Sequence, residues 1–148
     1  MLKKAMSKWD DRFMGIAQYV ATWSKQKHPI GAVIVGKDRN IISTGYNGFP
    51  NKIKDTAARL KEKALSRDLC IHAEQNAILH AKCDLTGCSL YVYGYMCCSK
   101  CALLIIQSGI SKIYYKDLPG HVVSEFWRQD FELSKSLLKE AGVKLIQM

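Results

Sequence analysis

Two short stretches hold the residue types best suited to chemistry, Cys70-Ile71-His72-Ala73-Glu74 and Met96-Cys97-Cys98-Ser99-Lys100-Cys101. They offer one imidazole, two or three thiols, and a carboxylate two residues beyond the imidazole. Histidine with a Cys-x-x-Cys pair is a soft donor set that suits Zn²⁺. Three protein donors leave one tetrahedral corner for water, which separates a catalytic zinc from a structural one. A carboxylate beside that corner, itself not a ligand, can hold and deliver the water's proton. The pattern points to a hydrolytic zinc site, with His72 and two cysteines as ligands and Glu74 as proton carrier.

Which cysteines bind is open on spacing alone. Cys98 and Cys101 have the usual two-residue gap, and Cys97 and Cys101 lie a helical step apart. The favoured pair is Cys98 and Cys101, with Cys97 as a supporting or spare thiol. A closed Cys₃His site using Cys97 would instead be structural and non-catalytic, and it would leave Glu74 without a task.

The elements that must position these residues follow from the pattern along the chain. Residues 6–24 read as a helix with Trp9, Phe13, Ile16 and Val20 on one face. Gly31–Val35 and Ile41–Thr44 are β-branched runs separated by the turn residues 36–40, a β-hairpin. It leads into Gly45-Tyr46-Asn47-Gly48-Phe49-Pro50, where glycines close to Asn47 suggest a plain turn or a loop approached closely by something else. The charged residues 51–69 read as a solvated helix capped by Asp55, with Ala57, Leu60 and Ala64 on one side, and a candidate substrate flap. Its Lys and Arg residues are suited to a phosphate.

A helix over His72–Lys82 carries Ala73, Ala77 and Ala81 at four-residue steps, small enough to lie close on a sheet. His72 and Glu74 would diverge in a helix interior but can converge at its first turn. Ser89–Tyr93 is a strand, and Cys98–Ser108 a helix whose Ala102-Leu103-Leu104-Ile105-Ile106 run predicts burial all round. Both metal stretches therefore open helices, whose positive ends favour thiolate. A strand over Ser111–Lys116, a helix over 122–141 anchored by Phe126 or Trp127, Phe131, Leu137 and Leu138, and a short strand at Val143–Ile146 complete the chain. The order predicts an α/β fold: one domain over 1–148, a three-layer sandwich with a mixed sheet of about five strands and helices on both faces.

The chain has 148 residues, 48% hydrophobic and 24% charged, the profile of an ordinary soluble domain. It has no run long enough for a membrane helix, and Met1-Leu2-Lys3-Lys4 does not open a signal peptide. Six cysteines in that setting point to a reducing, cytoplasmic compartment and to metal chemistry rather than disulfides. A net charge of +9 favours an anionic partner, such as a phosphorylated small molecule or nucleic acid, or a merely solubilising surface. Cys70, Cys83 and Cys88, with His28 or His80, are read as packing residues before a second metal site. Tyr91, Tyr93 and Tyr95 alternate and are expected on one strand face, with Tyr95 nearest the zinc loop. His121 carries no signal.

His72-Ala73-Glu74 followed by Cys98-Ser99-Lys100-Cys101 resembles the signature of the zinc-dependent cytidine deaminase superfamily. More narrowly, Gly31–Val35, Gly45–Pro50, His72-Ala73-Glu74-Gln75-Asn76-Ala77-Ile78 and Leu103–Gly109 resemble the deoxycytidylate (dCMP) deaminase family. The resemblance runs from about Gly31 to Tyr115, and it implies a cytidine deaminase-like fold. It also implies zinc on His72, Cys98 and Cys101, Glu74 as proton shuttle from water to ring and leaving amine, and Asn47 on the deoxyribose. The reaction would convert dCMP to dUMP and ammonia. One departure stands out: the superfamily usually has a proline, which stiffens the turn, where this chain has Cys97. The resemblance further suggests dCTP and dTTP as effectors and a hexameric homo-oligomer, with no residues assigned to either. The rivals are a deaminase of a related cytosine nucleotide, one acting on a base in tRNA or DNA, and the non-catalytic Cys₃His module.

Overall fold

An unbroken apolar run decides the centre of the molecule. All five residues of β1 (Gly31–Val35) are buried. Val33 and Val35 pack on one side against Phe13, Met14 and Ala17 of α1 (Lys8–Ala21), and Ala32 and Ile34 join the larger core on the other. A strand buried on both faces belongs in the middle of a sheet. β1 pairs antiparallel with β2 (Ile41–Tyr46) and with β3 (Ser89–Gly94). β4 (Lys112–Asp117) and β5 (Lys144–Gln147) continue the sheet in parallel, giving the order β2-β1-β3-β4-β5. This computed structural model describes residues 6–148, and Met1-Leu2-Lys3-Lys4 lies outside them.

The parallel pairs require crossovers, supplied by α5 (Ser99–Ser108) and α6 (Glu125–Glu140). Together with α4 (Ala73–Ala81), these helices cover the face opposite α1, so the expected three-layer, five-stranded mixed architecture is present. Two glycines let helices approach their strands. A Cβ at Gly31 would run into the α1 backbone at Ala17 and Ala21, and one at Gly45 into the α4 backbone at Ala73 and Ala77. The alanine stripe of α4 is matched by that gap: Ala73 and Ala77 have no exposed surface.

Several expectations need correction. Asp55 does not cap a helix; it pairs with Lys25 at 2.8 Å, and Thr56 caps instead. The stretch forms two short helices, α2 (Ala57–Lys61) and α3 (Lys63–Leu69). Glu62 breaks them apart, its carboxylate accepting from Ala64 N–H (3.1 Å) and Leu65 N–H (2.6 Å) at the start of α3. In α5, Leu103 and Leu104 are about half exposed rather than buried, because only the Cys101, Ala102 and Ile105 side meets the core. Trp9 lies at the rim of its face, stacked on Phe13. Trp127 and Phe131 pack on the core from α6, whereas Phe126 faces outward. Tyr95 does not share the face of Tyr91 and Tyr93: β3 ends at Gly94, whose φ of +125° turns the chain before Tyr95.

Candidate metal centre

His72 stands just outside α4, at its N-cap with extended backbone (φ −71°, ψ 154°). Its N–H donates to Gln75 Oε1 at 2.9 Å, satisfying one amide at the helix start. The preceding Ile71 exchanges backbone hydrogen bonds with Gly48 (2.8 and 3.0 Å), which ties the His72 approach to the Asn47 loop. Glu74 lies in the first turn and is only 3% exposed. Because His72 is not yet helical, its imidazole and the Glu74 carboxylate reach the same place despite their two-residue spacing.

Cys98 is the N-cap of α5, and Cys101 lies one turn in. His72 Nδ1 is 3.5 Å from Cys98 Sγ and 3.3 Å from Cys101 Sγ, and Glu74 Oε2 is 3.7 Å from Cys101 Sγ. The His72, Cys98 and Cys101 donor atoms all lie within 4.8 Å of one another, the one group of this kind among the described residues. A tetrahedral zinc with bonds of about 2.0–2.3 Å separates its donors by roughly 3.3–3.8 Å. The donor set and its spacing fit that ion.

The electrostatics agree with such a centre. The Cys98 thiol is pulled down to about 4 by the hydrogen bond from Cys101, aided by His72. Cys101, which keeps its proton in that bond, is held above the ordinary thiol range by the same contact and by burial. The hydrogen bond to Cys98 raises His72, and burial raises Glu74 above the ordinary carboxylate range. A divalent cation would release the shared thiol proton and balance both sulfurs.

Cys97 is directed elsewhere. Its thiol lies 3.6 Å from Ser134 Oγ of α6, and burial pushes it up to about 12. The same Ser134 hydroxyl donates to Cys97 O at 2.8 Å. Asp130, one helical turn earlier, accepts from Ser99 N–H (2.8 Å) and Ser99 Oγ–H (2.6 Å) at the start of α5. Two α6 side chains thus brace the turn that a proline would stiffen covalently. Neither was foreseen; a Ser and an Asp on an amphipathic helix carry no signal of what they cap.

Asn47 is 7% exposed, and its side chain is partly engaged. Oδ1 accepts from Ile30 N–H (2.8 Å), and Nδ2 donates to His28 O (2.9 Å), leaving one amide hydrogen free. Besides any ligand contact, Asn47 therefore fixes the His28–Ile30 backbone beside the centre. The 51–69 segment is tied to the stretch between α1 and β1, through Lys25–Asp55 and Ser66 Oγ–H to Gln26 Oε1 at 2.9 Å. Cys70 is half-buried, Cys88 buried and Cys83 exposed, and none joins a second metal group among the described residues.

Residues 7–117 match the cytidine and deoxycytidylate deaminase zinc-binding region. The chain belongs to this family. Zinc is accordingly the metal that the donor set fits. A deaminase of Aliivibrio fischeri is 36% identical over 95% of this chain and 93% of its own length. The deoxycytidylate deaminase of Mus musculus is also 36% identical, over 91% of this chain and 76% of its own. The fold is that of the dCMP deaminase of cyanophage S-TIM5, crystallised with dCMP and dUMP: TM-score 0.78, 23% identity, 98% of this chain and 100% of that one covered. Among the described residues no helix is long and apolar enough to cross a membrane.

Proposed function

We propose that this protein, residues 1–148 acting as one deaminase domain, hydrolyses dCMP to dUMP and ammonia. The observation that carries the reading is a buried carboxylate, Glu74, 3.7 Å from a cysteine of a His-Cys-Cys donor set that fits zinc. The substrate class rests on relatives named deoxycytidylate deaminase.

His72, Cys98 and Cys101 would hold the metal. When bound, zinc supplies a water acidic enough to act as nucleophile near neutral pH. Glu74 takes that water's proton and delivers it to N3 of the cytosine ring as C4 is attacked. It then carries the second water proton to the departing amine, so ammonia leaves and the C4 carbonyl forms. Burial raises its proton affinity, which suits a group that must accept and return a proton. The free Asn47 amide hydrogen would donate to the deoxyribose and so help to orient the base.

In this reading the enzyme is cytoplasmic and a homo-oligomer, a hexamer by family likeness. Half-exposed Leu103 and Leu104 on α5 and exposed Leu79 on α4 supply apolar surface for its contacts. Sensitivity to dCTP and dTTP belongs to the same reading and is checked by adding either to the assay. The test is ammonia release by zinc-loaded protein from dCMP, dCTP, deoxycytidine and a tRNA anticodon hairpin. Release from dCMP in preference to the others is expected; release from the hairpin alone would reassign the substrate to nucleic acid.

A further inference from the structure

Asn47 stands between two ties to the helix that carries His72 and Glu74. After it, Gly48 exchanges backbone hydrogen bonds with Ile71, the residue before His72. Before it, the Tyr46 carbonyl accepts from Asn76 Nδ2 of α4 at 2.8 Å. Asn76 is the fourth residue after His72, and its own N–H closes a helical bond onto His72 O at 3.0 Å. His72 and Asn76 therefore rise from the same side of the first turn. Gly45 lets the α4 backbone lie close on β2, so a side chain as short as asparagine spans the gap.

The two ties differ in kind. Backbone groups make the Ile71–Gly48 pair, whereas a side chain supplies the bond to Tyr46 O. Other bonds hold Asn47 to the stretch between α1 and β1 rather than to α4. Ser24 Oγ–H donates to its carbonyl at 2.8 Å, its N–H reaches Ile30 O at 3.3 Å, and its side chain bonds Ile30 N–H and His28 O. Part of the Asn76 bond is edge protection. β2 pairs with β1 alone, and an edge strand leaves backbone carbonyls unpaired. His80, one turn further along α4, meets Thr44 O through Nδ1 at 3.1 Å in the same way. Only the Asn76 bond adjoins Asn47.

We propose that Asn76 is a positioning residue for the deamination, acting through Tyr46 O to hold Asn47 in register with the metal helix. This rests on the dCMP reading above, in which the sugar is held by Asn47 and the base meets the metal and Glu74. Those two demands on one small substrate are met together only when the loop and the helix keep a fixed separation, and misplacement is costly in such a site. Without the Asn76 bond the sugar contact is lost or strained while the metal centre stays whole.

The test compares zinc-loaded wild type with Asn76→Ala, Asn76→Leu (close in shape but without a donor) and His80→Ala as the control for helix-to-strand anchoring. Both Asn76 variants should keep wild-type zinc content, and their KM for dCMP should rise roughly two- to tenfold, the worth of one hydrogen bond. Amide hydrogen exchange at Gly48 and Ile71 should quicken several-fold, with α1 amides unchanged. His80→Ala should leave KM and both amides as in wild type. In an Asn47→Ala background Asn76→Ala should raise KM no further, because the two residues act in series. An unchanged KM or unchanged Gly48 and Ile71 exchange in the Asn76 variants overturns the proposal. Equal effects in His80→Ala, faster exchange throughout α1, or full additivity with Asn47→Ala do the same, since each would reduce Asn76 to a general support of the fold. Absence of ammonia release from dCMP by wild type would refute the substrate reading instead, and the exchange pattern, which needs no substrate, would still decide whether Asn76 holds the loop.

Discussion

In the proposed reaction Glu74 is the residue on which the chemistry turns, and its burial has two measurable consequences. Glu74→Gln keeps the size of the side chain but cannot carry a proton, so deamination should fall by at least about 10²–10⁴-fold while zinc content stays at wild-type level. Loss of zinc together with activity would make Glu74 a ligand instead. The second consequence is in stability. Burial raises the folded-state carboxyl above its ordinary value of 4.5, so the folded metal-free protein retains a proton that the unfolded chain has released. Its contribution is fully present below the unfolded value and is lost as pH rises from there through the folded value. Urea melts of metal-free protein upward from about pH 4.5 should show a fall in stability that is smaller in Glu74→Gln; parallel curves would mean that the carboxyl is not perturbed. Cys97 gives a third test. With its thiol turned to Ser134, Cys97→Ser should retain zinc, whereas Cys98→Ser and Cys101→Ser should lose most of it, measured by metal analysis.

At the scale of elements, the centre depends on helices being held at their starts. α6 holds the start of α5 through Asp130 and Ser134. Asp130→Ala should weaken zinc binding by about 10–100-fold, as removal of outer hydrogen-bond partners commonly does. Competition with a chelator measures it, and unchanged affinity would make this brace purely structural. α4 depends on the gap at Gly45, and Gly45→Ala should destabilise the fold by about 1–3 kcal/mol in chemical denaturation. Much of this scale was legible. β-Branched runs at 31–35 and 41–44 announce the hairpin of β1 and β2, and His72-Ala73-Glu74 with Cys98 and Cys101 announces donors at helix starts. What stayed hidden depends on tertiary neighbours. The apolar run in α5 does not reveal which side meets the core, and Glu62 reads as one more charge in a helix until its carboxylate caps α3. Asn47 could be picked out by its loop, but its bracing of Ile30 and His28 is a fact of three dimensions. His121 looks ordinary because the rings that it meets, His28 and Tyr95, are far away in sequence.

For the whole molecule, the sheet order places the two metal stretches side by side: α4 lies over β2 and β1, and α5 follows β3, the neighbour of β1. The net charge of +9 favours an anionic substrate. Charge alone would serve a nucleotide or a polynucleotide equally well; the buried Glu74 and the His-Cys-Cys set are what make hydrolytic deamination the central claim. The measurement that tests it most directly is ammonia released from dCMP by zinc-loaded wild type and Glu74→Gln side by side, with zinc content determined on the same samples. The account predicts rapid release by wild type and almost none by a variant that still holds one zinc per chain. Equal release by both proteins, or none by a fully zinc-loaded wild type, would contradict it.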